Sequence, residues 1–204
     1  MTAAPRPPHL VRIDDRLALR RPEDPADLDE LHRLIDESVE HLRPWMDWVE
    51  DHCPEWTAGY LSRRVGQWAA GTEFTYVIVL DGAMVGACSL HRREETPDDA
   101  YEIGYWLHPA ATGHGLAVRA ARALVAEGFR LPGVRRLLVL HMPENHASAT
   151  VPAKLGFTEL TRLRDGDGEF RVWELTRTED PAQALIQTQA QTQTQARIQT
   201  QAPT

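Results

Sequence analysis

Residues 101–117 read Y-E-I-G-Y-W-L-H-P-A-A-T-G-H-G-L-A and pack a strand, an exit and a turn into one stretch. The run to Leu107 is apolar except for Glu102, which predicts a strand over 100–108, and Pro109 ends it because proline has no N–H for a ladder. Gly113 and Gly115 then make a flexible turn into a helix predicted over 115–130. A helix N-terminus leaves backbone N–H groups unpaired and carries the positive end of the dipole. This is therefore an expected anion site, with phosphate as its usual occupant.

Two phosphate loops are excluded by their own requirements. The dinucleotide fingerprint needs a third glycine where the chain has Val118, and the triphosphate loop needs Gly-Lys-Ser/Thr, which the chain lacks. The stretch instead resembles the acyl-coenzyme A loop of the GNAT acetyltransferases: Arg or Gln, two residues, Gly, one residue, Gly or Ala. Gly113 and Gly115 match it, while Ala110 stands at the Arg/Gln place. Residues 145–157, N-H-A-S-A-T-V-P-A-K-L-G-F, resemble the second signature of the RimJ/RimL-like branch, with Asn145, Ser148, Lys154, Gly156 and Phe157 in its positions.

The whole chain narrows the function classes. Its 204 residues are enough for one domain with a real core, and 42% hydrophobic residues make it globular. A net charge of −8 argues against a general nucleic-acid binder, which needs a basic face, and suits cationic acceptors such as amines. Cys53 and Cys88 have no metal-ligand spacing, and His108, His114, His141 and His146 lack H-E-x-x-H spacing, so no metal is expected. With no apolar signal core and no run near ~18 apolar residues, the chain is read as cytoplasmic, with no membrane partner.

Working outward, residues 1–9 are Pro-rich and read as a flexible extension, and 10–20 as a first strand. Asp24 is read as cap and Pro25 as first residue of an amphipathic helix carrying Leu28, Leu31, Leu34 and Ile35. A second helix is predicted from about Glu55 to Ala70, after the cluster Trp45, Met46, Trp48. F-T-Y-V-I-V-L at 74–80, Asp81-Gly82 and 83–90 form a hairpin, and 91–99 is a solvated connection. Val134 to Leu140 reads as a buried strand, 146–155 as a helix, and 157–164 with 169–176 as strands joined through Asp165-Gly166-Asp167-Gly168. Residues 177–204 become Gln/Thr-rich, too polar to bury a core, and are read as a disordered tail.

Strands interleaved with helices predict an α/β domain with a mixed sheet. The resemblance makes this the GNAT fold over residues 10–176: about seven strands flanked by about four helices, splayed between the fourth and fifth strands to admit the pantetheine arm.

The resemblance also implies the chemistry. Acetyl-CoA is the expected co-substrate, its pyrophosphate held by backbone N–H groups from Gly113 through His114, Gly115, Leu116 and Ala117 to Val118. Arg119 stands where many relatives have Glu, and a coenzyme phosphate would suit it. The thioester carbonyl would accept from a backbone N–H near Leu107 on a bulged strand. Glu102 is the implied general base, acting through water on the acceptor ammonium. Ser148 is the implied proton donor or hydrogen-bond partner of the leaving sulfur, since Pro152 occupies the place of the usual Tyr. Asn145 suits a helix cap compatible with a coenzyme contact, and Trp45 and Trp48 fall where the family's first helices line the acceptor cleft.

The expected activity is transfer of an acetyl group to a primary amine by direct attack in a ternary complex. The acceptor is a protein N-terminal α-amine, or a small amine such as a polyamine or aminoglycoside. A homodimer is common in the family. The alternative is a coenzyme-A-binding regulatory or interaction module with impaired catalysis, suggested by Ala110, Arg119 and Pro152.

Overall fold

The computed structural model describes residues 6–165 and 168–177. The Gln/Thr-rich tract and the Gly166-Asp167 turn lie outside the described residues. Strands β1 (Leu10–Arg12), β2 (Leu17–Arg20), β3 (Phe74–Leu80), β4 (Ala83–His91), β5 (Ala100–Leu107), β6 (Arg136–His141), β7 (Thr158–Asp165) and β8 (Gly168–Thr176) form one eight-stranded sheet, in the order β1-β2-β3-β4-β5-β6-β8-β7. Helices α1 (Leu28–Asp36), α2 (Val39–Leu42), α3 (Pro54–Ala70), α4 (Leu116–Gly128) and α5 (His146–Lys154) cover its faces. The expected mixed α/β architecture is present.

Two elements differ from the sequence reading. The strand expected over 10–20 is a hairpin: the Asp14 carboxylate accepts from the N–H groups of Arg16 and Leu17, both at 2.8 Å, and turns the chain between β1 and β2. The first helix begins at Leu28 with Asp27 as its N-cap residue, not at Asp24. Asp27 is buried, and its carboxylate accepts from Arg20 at 2.7 and 2.8 Å and from the Glu23 N–H at 2.6 Å, which holds the preceding segment as a turn.

The centre of the sheet follows its sequence closely. Asp81 and Gly82 both have positive φ, 52° and 86°, as a tight two-residue hairpin requires. At the N-terminal end, Pro7 is buried and the Pro8 carbonyl accepts from the Tyr76 hydroxyl at 2.8 Å, so this part of the extension packs on the domain. Leu17, Leu19, Trp68, Tyr76, Leu90, Leu124 and Leu137 form the heart of the main core, each fully buried aliphatic side chain contributing roughly 1.5–3 kcal/mol. A second cluster joins Leu31, Leu34 and Ile35 of α1 to Leu61 of α3 and Met84 of β4.

The β5–β6 pair is parallel, and it is the only parallel pair among the described residues. It registers Ala100, Tyr101 and Glu102 with Arg136, Leu137 and Leu138 and then ends, so the C-terminal half of β5 is released from β6. This is the expected splay. The expected bulge of β5 is absent: β4 and β5 stay in unshifted register from Gly86↔Leu107 to His91↔Glu102, and the shift falls instead between Ile78 and Val79 of β3.

Candidate active site

Alternation along β5 sends its side chains to opposite faces of the sheet. Ile103, Tyr105 and Leu107 pack with Leu116, Ala120 and Leu124 of α4 and Val151 of α5, while Trp106 joins the α1–α3 cluster. Two cavities occupy these faces. One of about 410 Å³ runs from Gly113, Gly115 and Val118 past Asn145 and Ser148 to Leu107, with Trp45 in its wall. The other, of about 350 Å³, is lined by Trp48, Trp56, Tyr60, Arg63, Arg64, Glu73, Ser89 and Gly104. Met46, Tyr105 and Trp106 line both, so the cavities adjoin at the splay.

The first cavity has an anion-binding end. Gly113 and Gly115 have φ of +79° and +74°, a region costly for any side-chain-bearing residue, and nothing lies within 4 Å of a Cβ built on either. Gly115 is the N-cap residue of α4 with no side-chain cap, and the first helical bond runs from Arg119 N–H to Gly115 C=O at 3.1 Å. The N–H groups of Leu116, Ala117 and Val118 therefore have no partner within the helix. An open glycine turn with free donors fits a pyrophosphate, and these residues would hold it.

His114 and Arg119 turn away from this cavity. His114, in the turn before α4, and Arg119, on the opposite side of its first turn, line a third cavity of about 710 Å³ beside Asp14 and Arg16, where the Arg119 guanidinium pairs with the Asp14 carboxylate. Leu116 reaches both sides.

At the junction, the Asn145 side chain accepts from the Ser148 N–H at 3.0 Å and caps α5. The Tyr105 hydroxyl lies 3.0 Å from both the Ser148 carbonyl, to which it donates, and Ser148 Oγ. Burial pushes the Tyr105 phenol up to about 12, the bond to Ser148 pulling weakly the other way, so the O–H is kept as a donor. Leu107 lies past the last pair with β6. Since His108 N–H donates to Val85 C=O at 2.8 Å on the β4 side, alternation aims Leu107 N–H at the open edge.

Glu102 is 5% exposed and lines none of the cavities described above. Arg93 Nε donates to its carboxylate oxygens at 3.0 and 3.2 Å, the Thr96 hydroxyl donates to Oε1, and His91 Nε2 stands 3.8 Å from Oε2. Isolated, such a buried carboxylate would cost several kcal/mol, which these donors offset. Any base role for it must therefore pass through intervening groups. The 91–99 connection, expected to be merely solvated, supplies Arg93 and Thr96.

Trp48 stacks on Trp56 with centroids 5.1 Å apart, and Trp56 on Tyr60 at 5.2 Å, building an aromatic wall in the second cavity. Trp45 stands instead in the coenzyme-side cavity. Tyr105, Ser89, His91, Arg93 and Thr96 were missed by the sequence reading. Only Tyr105 carried a signal, as the inward alternate of Leu107 on the strand that bears Glu102. Among the described residues, no group of His, Cys, Asp and Glu could hold a metal ion, and no helix is long and apolar enough to cross a membrane.

Comparison with known proteins agrees with this geometry. The putative ribosomal N-acetyltransferase YdaF of Bacillus subtilis is 27% identical over 159 residues, 76% of this chain and 85% of that protein. RimJ of Mycobacterium smegmatis, solved with CoA-disulfide, superposes with a TM-score of 0.70 at 27% identity, over 81% of this chain and 84% of that one. RimL, a ribosomal L7/L12 α-N-protein acetyltransferase solved with coenzyme A, gives 0.76 at 22% identity, over 84% and 99%, and at that identity shares the fold alone. The model of the acetyltransferase (GNAT) domain matches residues 16–158. That match runs from the hairpin before β2 to the first residue of β7 and takes in both adjoining cavities: the chain belongs to the GNAT acetyltransferase family.

Proposed function

We propose that this acetyltransferase moves an acetyl group from acetyl-CoA to the α-amine of a protein N-terminus, by direct attack in a ternary complex. The observation that carries the reading is the meeting of the two cavities at Met46, Tyr105 and Trp106. One offers free backbone donors to a pyrophosphate and the other is an aromatic-walled cleft open to an amine, so both reactants reach the splay from opposite faces. The relative YdaF, whose name is that of a putative ribosomal N-acetyltransferase, favours a protein N-terminus over polyamines or aminoglycosides, and the GNAT acetyltransferase family favours an enzyme over a binding module. The compartment this reading requires is the cytoplasm, where acetyl-CoA and nascent proteins meet.

Acetyl-CoA, when bound, supplies the activated acetyl thioester. In this reading Leu107 N–H, on the open edge of β5, donates to the thioester carbonyl, and the Ser148–Tyr105 hydroxyl pair serves the departing sulfur. Glu102 serves the acceptor ammonium from beneath the second cavity. The test is thiol release from acetyl-CoA with an N-terminal-serine peptide, spermidine and an aminoglycoside. We expect turnover with the peptide and a fall in Glu102→Gln; full turnover in that variant would remove Glu102 from the mechanism.

A further inference from the structure

Glu102 is cut off from the acceptor cavity, yet a chain of polar groups connects the two. Ser89 and His91 are alternate residues of β4, and in the β4–β5 register they sit opposite Gly104 and Glu102. The Ser89 hydroxyl lies 3.1 Å from His91 Nδ1, and His91 Nε2 lies 3.8 Å from Glu102 Oε2. Ser89 lines the acceptor cavity, whereas His91 and Glu102 do not. Gly104 completes the arrangement. It has no left-handed φ that would call for glycine, and a Cβ there would stand 3.3 Å from Ser89 Oγ and 3.1 Å from His91 Cε1. Glycine at this position leaves the Ser89–His91 pair uncovered toward the cavity.

We infer that Ser89 and His91 form a proton relay that deprotonates the acceptor ammonium, with Glu102 holding the imidazolium that results. The inference rests on the acetyltransferase reading above and names the groups through which Glu102 acts. The balance is as follows. The ammonium gives a proton to Ser89 Oγ as the Ser89 hydroxyl gives its own to His91 Nδ1, leaving a neutral amine and an imidazolium beside Glu102. The nitrogen lone pair then bonds the thioester carbonyl carbon as the carbon–sulfur bond breaks and its electron pair leaves on sulfur. The second nitrogen proton goes to that sulfur, and the proton on His91 leaves to solvent through its exposed edge, 27% of the side chain.

The surroundings of His91 suit a base. Burial holds its imidazole below the ordinary range; Glu102 and Glu73 favour protonation, and Arg64 and Arg93 oppose it. It is therefore neutral at pH 7 and able to take a proton. Because its pKa is depressed, activity should fall only as pH drops through that lowered value.

The experiment is the pH profile of kcat/KM for an N-terminal-serine peptide in wild type, Ser89→Ala, His91→Gln, Glu102→Gln and Gly104→Ala, with acetyl-CoA affinity measured for each. A relay requires His91→Gln to lose about 100-fold or more and its acid limb with it. Glu102→Gln should keep the limb but move it to lower pH, since the carboxylate that favours the imidazolium is gone. Ser89→Ala and Gly104→Ala should lose rate with unchanged acetyl-CoA affinity. Wild-type rate and an intact limb in His91→Gln would overturn the relay, as would loss of the limb in Glu102→Gln alone, which would make Glu102 the direct base. If the wild type fails to acetylate the peptide, it is the acceptor assignment that falls. The relay is then decided by NMR titration of the His91 ring: a pKa that drops in Glu102→Gln supports it, and one that does not move overturns it.

Discussion

Tyr105 shows how much a single hydroxyl can be asked to do at the splay. Its ring borders both cavities, and its O–H meets Ser148 where the family's usual Tyr is replaced by Pro152. Tyr105→Phe keeps the ring and removes the donor; we expect kcat to fall about tenfold with acetyl-CoA affinity nearly unchanged, a pattern that marks an interaction made during reaction rather than in binding. Because burial raises the phenol to about 12, its proton stays in place through ordinary basic pH, and no alkaline limb from Tyr105 should appear below about pH 11. Asn145 and Ser148 were singled out because they sit in a signature of fixed spacing, and Glu102 because it is the one acid on an otherwise apolar strand. Ser89 and His91 were not, because alternate polar residues on a strand look like any half-buried face until the opposite strand is known to present glycine. His114 and Arg119 were placed by adjacency to the glycine turn, whereas the turn itself sends His114, and helical phase sends Arg119, to the other side.

Elements carry a different kind of constraint, set by backbone. The turn into α4 depends on left-handed Gly115, so Gly115→Ala is expected to cost about 1 kcal/mol in backbone strain and to weaken acetyl-CoA binding by roughly tenfold, measured by calorimetry. Gly86 is a sharper case. A Cβ there would meet the Trp106 carbonyl oxygen at 2.2 Å and Leu107 Cα at 2.9 Å, both backbone, so Gly86→Ala must push β4 away from β5. We expect about 3 kcal/mol of destabilisation, a Tm lower by roughly 6–12 °C, and lost turnover because Leu107 moves with the strand. The β3–β4 hairpin and the helix after the glycine turn were readable from apolar runs and turn residues. The split of β1 from β2 was hidden because it turns on the Asp14 side chain, and the start of α1 because Arg20, from another element, claims Asp27.

At the scale of the molecule, two cavities meet at the sheet: α4, α5 and the end of α2 line the one that holds the glycine turn, α3 lines the aromatic one, and both border the C-terminal half of β5, past its last pair with β6. The mixed architecture was legible in the order of strands and helices, but the splay was read from family resemblance, since no local pattern announces where a parallel pair stops. The Gln/Thr-rich tract has few apolar groups with which to join the core. We therefore expect a chain ending at Arg177 to keep the full-length Tm within about 2 °C and the same kcat/KM; a clear loss of either would show that the tract contributes to the domain.

The most direct measurement is thiol release from acetyl-CoA by the wild type across the N-terminal-serine peptide, spermidine and an aminoglycoside, run beside Glu102→Gln. We expect the peptide to be turned over and the rate to fall at least tenfold in the variant at pH 7. Tight acetyl-CoA binding with no turnover on any of the amines would contradict an N-acetyltransferase acting on protein N-termini.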